Sequence, residues 1–339
     1  MMVKNTISLR GTQVPRVGHG IMLMTWTPTP APDEQCFEAI KAGVDALPAG
    51  TKMFVNAGEF YAQDMGTANL EMLARFFAKY PEYAERVFLS VKGGFNPKIF
   101  GPDSSPDSLR ASVDNITRVL GPHKKMDLYE PARVDHRFPI EDTMRVLAGF
   151  VADGTVAHIG LSECSAATLR RAHAVHPVAA VEIEISPFSY EDEAKRVIEA
   201  AQELGVVVVA YSPLGRGMLT GALKSLAELP AGDMRNRFTR FNNENLQHNL
   251  LIVDELQTFA QSKGVTVAQL CIAWVAALSP VVMPLPGSSK ATRTLENLNA
   301  GDVELSAADV QTVNDIIRKH GVKGDRANGM TPEQLHLWG

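Results

Sequence analysis

The chain has 339 residues, a length that fits two average domains or one α/β barrel. Hydrophobic residues at 45% and charged residues at 21% exclude disordered and fibrous classes and supply enough Val, Ile, Leu and Ala for a large core. A net charge of −5, with no run of Lys or Arg, argues against a nucleic-acid partner and leaves a small ligand as the expected one.

The first residues lack an apolar run followed by a small-residue cleavage site, and no segment approaches the length of a membrane span. Cys36, Cys164 and Cys271 lie far apart without metal-ligand spacing, a pattern that suits the cytoplasm and offers no metal site. ISLRGTQVPRVG reads as a hairpin turning at Gly11 and Thr12, a plug for the bottom of a barrel. Strands are then expected at Gly18–Met22, Met53–Asn56, Val87–Lys92, Met126–Glu130, His158–Ser162, Val181–Ile185, Val206–Tyr211 and Val281–Met283. Helical periodicity falls between them at Asp33–Gly43, Asn69–Lys79, Ser108–Leu120, Ile140–Asp153, Ala166–Ala174, Asp192–Leu204 and Asn249–Ala260. Eight alternations fit a (β/α)8 TIM barrel, read as one domain over residues 1–339 with long loops at its C-terminal face. An open doubly wound sheet has the same periodicity, but no Gly-rich dinucleotide fingerprint follows the first strand. Two connections are long, Gly93–Asp107 and Leu214–Gln247, and the second is expected to be kept for function.

In such a barrel the chemistry gathers where the strands end, and here the ends carry FVNAGEFYAQDMG, VFLSVKGGF, MDLYEPARVDHR, HIGLSE, VEIEIS and VVVVAYSPLGRG. From LRGTQVPRVGHGIM to GSSKATRTLEN the chain resembles the aldo-keto reductase superfamily, with GLSE and AYSPLGRGMLTG in the superfamily's order. SVKGGF, YEPARVD, PIEDTM and VHPVAAVEIE are most similar to its fungal pyridoxal reductase branch. The resemblance implies a catalytic Tyr, Lys, Asp and His around a nicotinamide. Tyr61 and Lys92 fall on the first two positions, whereas Asn56 stands in place of Asp and Ala132 in place of His.

Hydride attack on a carbonyl puts charge on its oxygen, which a proton donor must meet. Tyr61 is the expected donor, and Lys92 the cation that favours its ionised form. Asn56 is expected to orient Lys92 through its amide oxygen without neutralising it. Tyr61 would then ionise at a lower pH than in a relative with Asp, unless desolvation of Lys92 cancels the effect. Ala132 leaves room for a bulkier substrate, and Arg133 faces either the pocket or a barrel-exterior ion pair; the sequence does not place His136.

The same resemblance implies that Tyr211 stacks on the nicotinamide ring and that Ser162, Glu163 and Glu182 hydrogen-bond its carboxamide. Barrel-top ion pairs are the competing reading for both glutamates. Ser212, Leu214, Gly215 and Gly217 suit a diphosphate, because a glycine-containing loop lets backbone N–H groups approach it closely. Ser288, Ser289, Lys290 and Arg293 at a helix start suit a 2′-phosphate, which favours NADPH over NADH; Glu296 and Asn297 match adenine-binding positions. Met24, Trp26, Phe60, Phe95 and Tyr129 are candidates for an apolar substrate wall, with Arg133 beside it. The expectation is NADPH-dependent reduction of a small carbonyl compound, with pyridoxal to pyridoxine as the example. A catalytically weak NADPH-binding sensor and a pathway reductase for a larger ketone or unsaturated carbonyl are the alternatives. The sequence sets no oligomeric state; a monomer is favoured.

Overall fold

The computed structural model describes residues 3–326 and 330–339. Eight parallel strands make one curled sheet: β1 (His19–Gly20), β2 (Met53–Gly58), β3 (Val87–Gly93), β4 (Leu128–Pro131), β5 (His158–Ser162), β6 (Val178–Glu184), β7 (Val207–Tyr211) and β8 (Val282–Leu285). The seam between first and last strands is closed by a parallel bridge from Gly20 to Gly287 and by hydrogen bonds from Gly18 N to Pro284 O (2.9 Å) and Gly20 N to Pro286 O (3.0 Å). Gly18 lets the seam close tightly, since a Cβ there would lie 2.9 Å from Leu285 Cδ1 and 3.0 Å from Phe54 Cδ1 and those side chains would have to shift. The eight expected strands and the barrel are present. The first is shorter than expected, because Trp26 N bonds back to Met22 O (2.9 Å) and turns Met22–Thr25 into a single helical turn.

The period of two along each strand sorts side chains into barrel interior and helix layer. Counting inward-facing positions upward gives Phe54 then Asn56, Phe88 then Ser90 and Lys92, Leu128 then Glu130, Ala180 then Glu182, and Val207, Val209 then Tyr211. The lower interior is apolar: Phe54, Phe88, Leu128, Ala180, Val207, Val209, Met283 and Leu285 form one buried cluster with Leu9 and Val14 of the N-terminal hairpin. The hairpin, Thr6–Leu9 with Thr12–Pro15, therefore plugs the barrel bottom as expected. Its turn sits one residue earlier than expected, at Arg10 (φ 48°) and Gly11 (φ 89°). Thr12 is β-branched and disfavours the positive φ that such a turn demands, so it starts the second strand instead.

Helices α1 (Asp33–Asp45), α2 (Ala68–Lys79), α3 (Pro106–Leu120), α4 (Ile140–Ala152), α5 (Ala166–Val175) and α6 (Asp192–Leu204) cover the outside, each within a few residues of its expected span. After β7 come the long α7 (Asn243–Ser262) and α8 (Val267–Ala277); after β8 come α9 (Ala291–Asn299) and α10 (Ala307–His320). The three cysteines are buried free thiols. Among the described residues no helix is long and apolar enough to cross a membrane. Residues 330–339 return to the barrel top, where Ser165 N bonds Gly339 O (3.2 Å) and Arg133 Nε bonds Leu335 O (3.2 Å).

Candidate active site

Above the apolar floor the interior turns abruptly polar. Lys92 Nζ lies 2.9 Å from Glu130 Oε1 and in contact with Glu182 Oε1, and all three side chains are almost fully buried. Asn56 Nδ2 donates to Glu182 Oε2 (2.8 Å) and Glu130 Oε1 (3.3 Å). This arrangement corrects the expected role of residue 56: its amide donates to the carboxylates and does not accept from the lysine. It also corrects the idea of an uncompensated cation, because two carboxyl groups flank Lys92. Burial works to lower the Lys92 pKa, but Glu130 and Glu182 outweigh it and hold the ammonium above its ordinary value. Tyr61 itself is shifted upward from the ordinary phenol value. Burial raises it, Lys92 and Arg133 lower it, and Glu182 and Glu130 raise it again, so the phenol keeps its proton well above the usual range. Glu182 is pushed up to about 8 by burial and by the neighbouring Glu130, against the pull of Lys92.

Tyr61 is carried by the loop after β2, and glycine makes its position possible. A Cβ on Gly58 would lie 2.7 Å from three Tyr61 ring atoms, so the ring folds back over the strand end only because residue 58 has no side chain. Thr25 Oγ1 donates to Tyr61 O (2.6 Å), and Glu59 N donates to Lys92 O (2.8 Å), tying the two loop ends together. Around Tyr61 stands an aromatic wall: Trp26 (5.6 Å between ring centroids), Phe60 (5.3 Å), and Phe95 against Phe60 (4.9 Å), with Ala132, Met22 and Met65 in the same cluster. Trp26, Phe60 and Phe95 thus meet as expected. Met24 does not reach the wall and packs in the main core, a place taken by Met22 and Met65. Tyr129 is also absent from it, because the residue between the inward Leu128 and Glu130 must point outward, and its hydroxyl bonds Ser112 Oγ (3.1 Å) on α3.

Arg133 turns toward the mouth and not to the barrel exterior: Nη1 is 3.5 Å from Ser162 Oγ. Nearby, Tyr211 Oη donates to Glu163 Oε1 (2.7 Å), and Arg326 forks onto Glu163 with Nη1 to Oε1 at 2.9 Å and Nη2 to Oε2 at 3.0 Å. Burial would raise the Glu163 pKa, but Arg326 outweighs it and holds the carboxyl below its ordinary value. The structure therefore assigns both glutamates to ion pairs, the competing reading, and of the three expected carboxamide partners only Ser162 has its side chain outside such a pair. His136 stacks on His336, with 5.8 Å between ring centroids.

The loop after β7 has positive φ at Ser212 (53°), Gly215 (54°), Arg216 (56°) and Gly217 (93°), next to Leu214. A Cβ on Gly215 would sit 3.0 Å from Phe188 Cδ2, so this tight coil needs a glycine there. Arg216 and Arg235 flank it, with Arg235 Nη1 3.4 Å from Arg216 O. Neither arginine was singled out by the sequence, although GRG itself advertised one of them. At the other side of the seam Ser288 Oγ accepts from Lys290 N (3.1 Å), Ser289 Oγ accepts from Gln35 Nε2 (3.0 Å), and Lys290 and Arg293 are exposed at the start of α9. Coiled N–H groups, a helix N-terminus and exposed cations form a donor set that fits a phosphorylated dinucleotide. Farther along α9, Asn297 is buried, and Glu296 Oε1 accepts from Thr266 Oγ1 (2.9 Å).

The chain is similar to known proteins. The sequence profile described as the Aldo/keto reductase family matches residues 16–318. A probable pyridoxal reductase of Schizosaccharomyces pombe is 36% identical over 335 residues, covering 97% of this chain and 99% of its own. An aldo-keto reductase of the same yeast, named with NADP(+), is 38% identical over 265 residues, 76% of this chain and 77% of its own. Among solved structures the glycerol dehydrogenase of Gluconobacter oxydans superposes with a TM-score of 0.80 at 24% identity, covering 96% of this chain and 99% of that one, a likeness of fold.

Proposed function

The chain belongs to the Aldo/keto reductase family, and from that premise we propose that it reduces a small carbonyl compound with NADPH, pyridoxal to pyridoxine being the reaction suggested by the name of a 36% identical relative. The observation that carries this reading is the convergence of Tyr61, Lys92 and an aromatic wall at one end of the barrel.

NADPH, when bound, supplies the hydride. Tyr211 offers a ring face for its nicotinamide, Ser162 a hydroxyl for the carboxamide, and the Ser212–Gly217 coil backbone donors for the diphosphate. Ser288, Ser289, Lys290 and Arg293 offer the phosphate site that distinguishes NADPH from NADH, a preference in keeping with the NADP(+) in the name of a second relative. Glu296 and Asn297 flank the adenine side. Tyr61 gives its Oη proton to the carbonyl oxygen as charge develops there, and the Lys92 ammonium stabilises the phenolate left behind. Trp26, Phe60 and Phe95 hold an aromatic aldehyde against Tyr61, and Ala132 leaves space beside its oxygen. Arg133 remains as a second cation at the mouth to polarise that oxygen.

The test is NADPH oxidation by the pure protein against a carbonyl panel that includes pyridoxal. Turnover with pyridoxal supports the reading. Bound but unconsumed cofactor across the panel points to a sensor, and turnover with larger ketones alone to a pathway reductase.

A further inference from the structure

The lysine cluster contains one cation and two carboxyl groups. Lys92 contacts Glu130 Oε1 and Glu182 Oε1, and Asn56 Nδ2 reaches an oxygen of each glutamate. All four residues are at most 4% exposed. Two full negative charges this close in a dry interior, beside a single ammonium, are strongly disfavoured. Glu130 Oε2 is, moreover, buried with no hydrogen-bond partner among the described residues. Space for this second carboxylate is built in: on β5, residue 160 is glycine, and a Cβ there would lie 3.0 Å from Glu130 Oε2 and 2.8 Å from Leu128 Cδ2. Asn56, opposite Ser90 on the neighbouring strand, presents an N–H2 to the pair where an acidic side chain would add a third negative charge.

We propose that Glu130 and Glu182 are jointly the positioning residues for Lys92, sharing a single proton between them, and that Asn56 is the neutral donor which holds the pair in place. The counter-charge of the lysine has thereby moved from β2 to β4 and β6. The groups facing the pair are Lys92 from β3, Asn56 from β2 and Tyr61 from the loop above, so the cluster is neutral overall while one proton is retained. The upward shift of Glu182 to about 8 agrees with this count. The consequence for catalysis rests on the reading of Tyr61 as the proton donor; the charge count does not.

Infrared difference spectra of the full chain test the count without any turnover. A protonated-carboxyl C=O stretch is expected at neutral pH in the wild type, and both Glu130→Gln and Glu182→Gln should abolish it, because one carboxylate then remains for one lysine. A wild type without that band, or a band that survives both substitutions, overturns the proposal. Kinetics test the positioning role. The double variant Glu130→Gln/Glu182→Gln leaves Lys92 unpaired, and kcat should fall by about 100-fold with KM for the carbonyl little changed. Its activity should also be lost at lower pH on the basic side. Adding Asn56→Asp should restore kcat to within about tenfold of wild type, whereas Asn56→Asp alone should lower it by supplying a third carboxyl. Absence of rescue in the triple variant, or improvement by Asn56→Asp alone, contradicts the proposal. Should the double variant fail to fold, Gly160→Ala serves instead: it displaces Glu130 and should weaken the infrared band. A wild type that reduces no carbonyl, yet shows the band, removes the reductase reading and leaves the charge count standing.

Discussion

Tyr61 and Lys92 were legible as single residues because one lies just beyond and the other near the end of a strand segment that the resemblance also marks, and the fold brings both to one end of the barrel. Glu130 was not, although the signal lay in the sequence. Counting by twos from the apolar Leu128 puts Glu130 inside and Tyr129 outside, and the same count from Ala180 puts Glu182 inside as well. What no count along one strand reveals is that side chains from four strands meet at one level, which depends on register between strands. The buried glutamates give a stability prediction. Burial and the neighbouring Glu130 push the Glu182 carboxyl up to about 8, above the unfolded carboxyl value of about 4.3, so the native state binds more protons in that window. This contribution to stability is complete below the unfolded value and is lost as pH rises through about 8. Melting temperatures measured from pH ~5 to ~8.5 should therefore fall less steeply in Glu182→Gln than in wild type; parallel slopes would show that residue 182 carries no extra proton.

Among elements with one apolar face, Asp192–Leu204 matches its expected span residue for residue, whereas α7 begins at Asn243, six residues before the expected Asn249 and inside the expected loop. Val267–Ala277 carries no such signal because it is buried almost all round, from Val267 through Trp274 to Ala276, and a helix apolar on every side has no periodic stripe. The hairpin plug lies where the sequence implies, with its turn one residue earlier. Leu9 is fully buried between the hairpin and the barrel floor, so Leu9→Ala should cost about 3 kcal/mol in chemical denaturation while leaving kcat unchanged, since the plug lies at the end opposite Tyr61. A fall in kcat equal to that of a site variant would tie the floor to the chemistry. At the start of α9, Arg293→Ala should weaken NADPH binding roughly tenfold and leave NADH unaffected, as judged by fluorescence titration. Equal loss for both cofactors would move the phosphate site elsewhere.

At the scale of the whole molecule, the alternation of eight strands with helices and the missing Gly-rich fingerprint were enough to choose a barrel over an open sheet. The polar layer was harder to foresee, because it requires charges to be buried in the middle of a parallel barrel, where composition alone favours Val and Ile. That cost is sustained by pairing: lysine with two carboxyls, asparagine with both, and Glu163 with Arg326 from the returning C-terminal segment. The molecule thus spends stability on a preformed charge array at one end, above an apolar plug at the other. The function proposed for that array is hydride transfer from NADPH to a carbonyl carbon, with the proton coming from Tyr61. Incubation with pyridoxal and NADPH deuterated at the transferable position, followed by mass spectrometry of the product, tests it most directly. One deuterium is expected on the carbinol carbon of pyridoxine, with a rate that drops by about 100-fold or more in Tyr61→Phe. Unlabelled product, or equal rates for wild type and Tyr61→Phe, would contradict it.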